Sequence, residues 1–259
     1  ANNNAPQMGS ASIYCFDSGS NWSARAVLHG DAAGDEFGSS VAINNDGTYI
    51  AVGAIKYDDA SAASGTNAGL VRVYKWDDSS YGQFGGAPII GEQGESTDSD
   101  YVGDYFGYSL DISDLTDDKI RVVIGAPNNG GTYYHGHARL YEADTTSTDP
   151  QWALVASDID GRDNMSLGKS LAMSKTGERI VLGGPTYNSA IDSYYEGLVE
   201  LVELTEISRM PSNIPSLIPS DVPSSAPSSL PSSMTSTEPS LLPSSEPSLL
   251  PSSEPSDFP

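Results

Sequence analysis

Gly103 to Tyr141 reads GDYFGYSLDISDLTDDKIRVVIGAPNNGGTYYHGHARLY and decides how the rest of the chain is read. Phe106 to Ser113 alternates apolar and polar residues, as a half-buried strand does. Ile120 to Gly125 is a β-branched apolar run, and His137 to Tyr141 is a third short strand. Asp114, Asp117 and Asp118 separate the first two, and Asn128 to Gly131 the second two, all residues that favour turns.

The pattern occurs twice more. An earlier copy runs Phe37 to Ile43, Tyr49 to Ala54 and Gly69 to Tyr74; a later one runs Leu167 to Met173, Arg179 to Pro185 and Gly197 to Val202. Gly38, Gly107 and Gly168 are matched, each followed two residues on by Ser40, Ser109 or Ser170. Gly53, Gly125 and Gly183 close the second strand of each copy. A fourth strand precedes each unit: Trp22 to Gly30, about Phe84 to Gly91, and Trp152 to Gly161. Four antiparallel strands repeated about every 60 residues are the period of a propeller blade, which buries both faces only against neighbouring blades. Glycine and serine at the inner strand suit a crowded axis. The expected fold is all-β, a β-propeller-like array of four-stranded antiparallel blades over residues 1–204.

Phe37-Gly38 with Val52-Gly53-Ala54, and Phe106-Gly107 with Ile124-Gly125-Ala126-Pro127, resemble FG-GAP repeats. Those repeats form the propeller of integrin α-subunit heads and of many secreted or surface proteins. The third copy departs from the pattern, with Leu167-Gly168 and Gly183-Gly184-Pro185. Residues 9–30 read as strands three and four of a blade lacking its first two. Strand four could complete the last blade, as propellers often close. The blade count is low for a propeller, so the array is expected to be incomplete, with further blades upstream.

From Pro211 the chain repeats Pro-Ser-x-x, with proline at every fourth position except Thr235. Such a composition blocks helix and sheet and offers no core, so 205–259 are expected to be a disordered stalk or linker. The repeat resembles the PSxxPS tails of surface proteins from wall-bearing microalgae, and serine, threonine and proline together suit O-glycosylation. Phosphorylation of the hydroxyls is the other modification that the composition suits.

With 35 acidic and 12 basic residues the net charge is −23, which excludes nucleic acid as a natural partner. No apolar run approaches the roughly 20 residues of a spanning helix. The chain begins with alanine and shows no signal-type apolar segment, so it reads as a mature form or a fragment. The single cysteine, Cys15, reads as a buried free thiol or as half of a pair whose partner lies in other sequence.

Alternation of the strands puts connections 1–2 and 3–4 on one face, and 2–3 and 4–1 on the other. Asn44-Asn45-Asp46-Gly47 and Lys175-Thr176-Gly177 are tight hairpin signals on the first face. The second face has longer loops carrying Tyr57, Tyr101, Tyr133, Tyr134, Tyr194 and Tyr195. Tyrosine combines area with a hydroxyl and is favoured at recognition surfaces, so these six are the candidate binding residues. Packing against loop backbone or a neighbouring blade is their alternative role. In the resemblance this is also the ligand face.

The resemblance raises calcium, held by alternating Asp and Asn oxygens between strands one and two. The closing position is Tyr49, Arg121 and Arg179 here, none of them a ligand, so the expectation is no cofactor. Asp111, Asp114, Asp117 and Asp118 are the weak metal candidates. The acidic stretch Glu92, Glu95, Asp98, Asp100 and Asp104 reads as solvated loop. His135 and His137 lack a third zinc ligand nearby. With no nucleophile elbow or phosphate loop, the chain is expected not to be an enzyme. Asn21-Trp-Ser23 and Asn164-Met-Ser166 fit N-glycosylation. The functional expectation is an extracellular recognition or adhesion module that binds a protein or glycan ligand at the cell surface. The alternative is a structural wall or matrix component associating with cell-wall material through its acidic, hydroxyl-rich surface.

Overall fold

The computed structural model describes residues 8–16, 18–58, 67–91, 103–129, 134–162, 164–187 and 196–204. The chain divides into Ala1–Ile207 and Ser208–Pro259, and all described residues lie in the first unit. The expected stalk lies outside the described residues.

Those residues form strands and no helix, arranged in four antiparallel sheets. Blade I is β1 (Ser10–Phe16) paired with β2 (Trp22–His29). Blade II is β3 (Phe37–Ile43), β4 (Tyr49–Ala54), β5 (Leu70–Trp76) and β6 (Tyr81–Ile90), hydrogen-bonded in chain order. Blade III is β7 (Ser109–Asp114), β8 (Lys119–Ala126) and β9 (His137–Asp144), with β10 (Ala153–Leu154) and β11 (Ile159–Asp160) both on the outer edge of β9. Blade IV is β12 (Ser170–Met173), β13 (Arg179–Gly184) and β14 (Leu198–Glu203). This is the β-propeller-like array of four-stranded blades, incomplete over the described residues.

Two expectations are corrected. The fourth strand of blade III is broken: residues 156–158 leave the ladder, and the Asp158 carboxylate accepts from Arg139 Nε and Nη2 at 2.8 and 2.6 Å. The N-terminal strand four does not complete the last blade. Its ladder partner is β1, and the two form a separate sheet from β12–β14.

Consecutive blades pack in order, β1 on β3, β3 and β4 on β7, and β7 and β8 on β12. Three apolar clusters fill the spaces between them. Ala11 and Leu28 of blade I meet Phe37, Ile50, Val52 and Leu70 of blade II. Ala51, Val71 and Val73 of blade II meet Phe106, Leu110, Ile112 and Ile124 of blade III. Val123, Ala138 and Leu140 of blade III meet Leu167, Ile180 and Leu182 of blade IV. β4 is buried along its whole length, because both faces of blade II have a neighbour.

The repeated serines and glycines hold these junctions. Ser40 Oγ donates to the Gly107 carbonyl at 2.5 Å, and Ser109 Oγ donates to the Gly168 carbonyl at 2.6 Å. A Cβ on Gly53 would stand 2.5 Å from that same Gly107 oxygen, and one on Gly125 would stand 2.2 Å from the Gly168 oxygen. Each inner-strand turn therefore inserts its glycine carbonyl into a notch that only glycine leaves open. Further polar links cross the same junctions. Asn44 Nδ2 donates to Asp114 Oδ1 at 2.8 Å, and Ser113 Oγ to the Lys175 carbonyl at 2.5 Å.

A candidate recognition cleft between blades III and IV

The 2–3 loop of blade III, the connection from blade III to blade IV, and the 2–3 loop of blade IV meet on the long-loop face. They enclose a cavity of about 260 Å³ lined by Asn128, Tyr134, Asn164, Ser166, Lys169 and Thr186. Ser166 is buried, and Thr186 Oγ1 lies 2.9 Å from its Oγ. The Ser166 amide donates to the Tyr134 carbonyl at 2.7 Å, and the Lys169 amide to the Ser166 carbonyl at 3.3 Å. The lining thus offers two amides, two hydroxyls, a phenol ring and one ammonium, fixed by the main chain of two blades.

Tyr134, Asn164 and Ser166 all have positive φ, at 42°, 58° and 49°. Local strain of this kind often marks function. Here it is mostly scaffold, because the repeat carries it elsewhere. Glu36 and Tyr105 stand where Ser166 does, one residue before the inner-strand turn, with φ of 56° and 54°. Asn67 (φ 52°) stands where Tyr134 does, two residues before the glycine that opens the third strand. Side chains distinguish the copies instead. Where blade IV has Ser166 and Thr186, blade II has Glu36 and Lys56 in a 2.6 Å ion pair.

The sequence candidates separate. Tyr134 lines the cleft, whereas the Tyr57 ring packs into the cluster between blades I and II. Tyr101, Tyr133, Tyr194 and Tyr195 lie outside the described residues, as do Glu92, Glu95, Asp98 and Asp100. Asp104 is not solvated loop: it is fully buried, and its carbonyl accepts from the Asn128 amide at 3.3 Å. Asn21 and Asn164 are both exposed. Cys15 is half-buried rather than buried, and accepts a hydrogen bond from Arg25 Nη1 at 3.2 Å. Sequence reasoning passed over Asn128, Ser166, Lys169 and Thr186. Their positions relative to the glycines were legible, but their convergence depends on how two blades dock.

The carboxylates of the 1–2 loops make hydrogen bonds within the protein. In the Asn44 loop, Asp46 Oδ1 accepts from Asn44 Nδ2 and from the Thr48 amide at 2.8 and 2.9 Å. Hydrogen bonding by the Thr48 hydroxyl foremost, then by the Thr48 amide and against the cost of burial, with a smaller part from Asn44, holds the Asp46 carboxyl below its ordinary range. Of the four weak metal candidates, Asp111, Asp114 and Asp117 have carboxylates engaged by other groups, whereas Asp118 is held through its main-chain carbonyl. Asp111 Oδ2 accepts from the Met173 amide of blade IV at 2.7 Å, and Asp114 accepts from Asn44 of blade II. Asp117 lies 3.6 Å from Lys119 Nζ, and the Asp118 carbonyl accepts from Thr145. Among the described residues, the three metal-capable side chains that converge are His137, Asp158 and Asp160. Arg139 already neutralises Asp158 there with two hydrogen bonds.

That pair gives a pH prediction. The Arg139 hydrogen bond, opposed by burial, holds the Asp158 carboxyl below its ordinary value of 3.8. A folded pKa below the unfolded one gives stability present above the unfolded pKa and lost as pH falls through the folded value. Melting temperature is therefore expected to fall as pH drops below about 4. D158N should show a shallower acid limb in the same scan, while losing stability at neutral pH.

Comparison with known proteins places the repeat. Residues 23–74 match the FG-GAP repeat family, a segment running from β2 through β5. Over that stretch the chain is similar to an FG-GAP repeat. Such repeats occur in extracellular adhesion-type modules and in surface proteins. No curated protein sequence matches the chain. Among solved structures, a thermostable family-43 glycoside hydrolase matches with 14% identity and a TM-score of 0.34, over 69% of this chain and 62% of that one. The chain thus spans less than two thirds of that protein's length. The expectation that the chain is not an enzyme does not stand, since a solved structure to which it is similar is a hydrolase. Likeness at this level assigns no activity.

Proposed function

We propose that the chain is an extracellular recognition module that binds a protein or glycan ligand on its long-loop face, at the cleft between blades III and IV. The supporting observation is that three loops from two blades deliver Tyr134, Asn128, Asn164, Ser166, Lys169 and Thr186 to one cavity. Variable loops held by a rigid scaffold are where binding sites form. Tyr134 supplies an aromatic face, the amides and hydroxyls supply directional hydrogen bonds, and Lys169 supplies a cation in a protein of net charge −23. In this reading the Pro/Ser repeat from Pro211 serves as the stalk or linker of the module.

The test is retention of the full chain on a panel of immobilised polysaccharides and matrix proteins. Tyr134→Ala and Lys169→Ala are each expected to weaken the strongest interaction by roughly tenfold or more, as truncation of a contact anchor does. Their melting temperatures should stay close to that of the parent. Undiminished retention by both variants would contradict the reading.

A further inference from the structure

Each blade buries one set of positions against the blade that follows. In blade II these are Ala51, Val71 and Val73, at 0%, 0% and 1% exposure. In blade III they are Val123, Ala138 and Leu140, at 0%, 0% and 4%. The same repeat positions in blade IV are Val181, Val199 and Leu201, and they are 41%, 70% and 61% exposed. Val181 pairs directly with Leu201 and with Ala172, so these residues make one continuous apolar face. The polar half of the junction is present as well. Ser170 stands where Ser40 and Ser109 do, and Gly183 keeps the notch of Gly53 and Gly125. Among the described residues, no carbonyl of another blade enters that notch.

The complementary surface is at the other end of the chain. Leu110 and Ile112 of β7 are buried against blade II, at 9% and 5% exposure. Their counterparts on β3, Val41 and Ile43, are 60% and 56% exposed. Blade I covers only the outer part of that face, through Ala11, Ile13 and Leu28.

We propose that a second copy of this chain docks head to tail, with its blade IV seated on the β3 side of blade II. The Gly38 carbonyl then accepts from Ser170 of the second copy, as Gly107 accepts from Ser40. Val181, Val199 and Leu201 cover Val41, Ile43 and the buried row beyond them. Ala11 and Ile13 hold the places that Val199 and Leu201 take in this seat, so the β1–β2 hairpin is displaced from blade II. A lone two-stranded hairpin is marginally stable, whereas the incoming sheet brings three strands. The hairpin's outer face also leaves Tyr14, Phe16 and Trp22 exposed, at 56%, 60% and 71%. The interface joins two different faces, so it propagates into chains of copies unless the rotation closes a ring.

Sedimentation of the full chain over a concentration series tests this. Average mass should rise with concentration beyond that of a dimer. Leu201→Asp and Val41→Asp should each stay monomeric with unchanged melting temperature, since both side chains are exposed in the single chain. An equimolar mixture of the two should form dimers and stop there, because each variant retains one intact face. A wild-type chain that stays monomeric throughout overturns the proposal. So does association that survives Val41→Asp, which would indicate two blade IV faces packed on each other. A mixture that fails to form dimers overturns it too.

Discussion

Replacing Gly125 by alanine is expected to destabilise the protein by about 3 kcal/mol, the upper part of the range for overpacking a close-packed interior. The added methyl would stand 2.2 Å from the Gly168 carbonyl oxygen and 2.6 Å from Ser109 Oγ, and the first of these is backbone. Blade IV can relieve the clash only by moving its inner-strand turn outward. That movement breaks the Ser109 hydrogen bond and opens the cluster around Leu167 and Leu182. The melting temperature should fall by roughly 10 °C, given the few degrees that each kcal/mol moves a domain of this size. Ser109→Ala provides the scale: it removes one neutral hydrogen bond without adding volume, and should cost about 1 kcal/mol. Equal losses for the two variants would mean that the carbonyl does not sit in the Gly125 notch. Because Ser166 and Lys169 flank this turn, Gly125→Ala should weaken ligand retention as well as stability.

Phe106→Ala should be the costlier change, at about 3–5 kcal/mol. Phe106 is fully buried at the junction of blades II and III, and its ring meets Tyr141 edge-on with centroids 6.4 Å apart. Its backbone bridges Gly69 of blade II, where a Cβ would stand 2.2 Å from the Phe106 oxygen, so the main chain is fixed and cannot collapse into the space. Phe106→Leu should cost much less, because Leu167 occupies the same repeat position and is equally buried. Thermal melts of the two variants read the difference directly. Similar losses for both would show that ring volume is not what fills the junction.

The blades were legible because three copies repeat the same glycines, serines and apolar alternation. Phe37, Phe106 and Leu167 mark the entry of each inner strand, and their neighbours fix which face is apolar. What could not be read was how one copy meets the next. Ser40, Ser109 and Ser170 are alike in sequence, but two reach a neighbour's carbonyl, and among the described residues no carbonyl of another blade enters the notch beside the third. The broken outer strand of blade III carries the Arg139–Asp158 pair, a pairing across 19 residues that no local pattern announces. For the same reason the aspartates looked like metal ligands. Asp111 and Asp114 face opposite neighbours, and only the docked blades show that each is already hydrogen-bonded across a junction. The tyrosine reading divided on similar grounds. Tyr57 lies in the 2–3 loop of blade II beside the apolar cluster shared with blade I, so its ring packs inward; Tyr134 lies in the 2–3 loop of blade III beside polar groups of blade IV.

The order and docking of the blades underlie both the cleft and the seat at blade IV. A double-mutant cycle on Asn44 and Asp114 tests it most directly, since this side-chain pair links blades II and III across 70 residues of sequence. The 2.8 Å bond to a carboxylate predicts a coupling energy of about 1–2 kcal/mol in equilibrium unfolding of Asn44→Ala, Asp114→Ala and the double variant. Strictly additive losses would contradict the account, because they would mean that these two turns never meet.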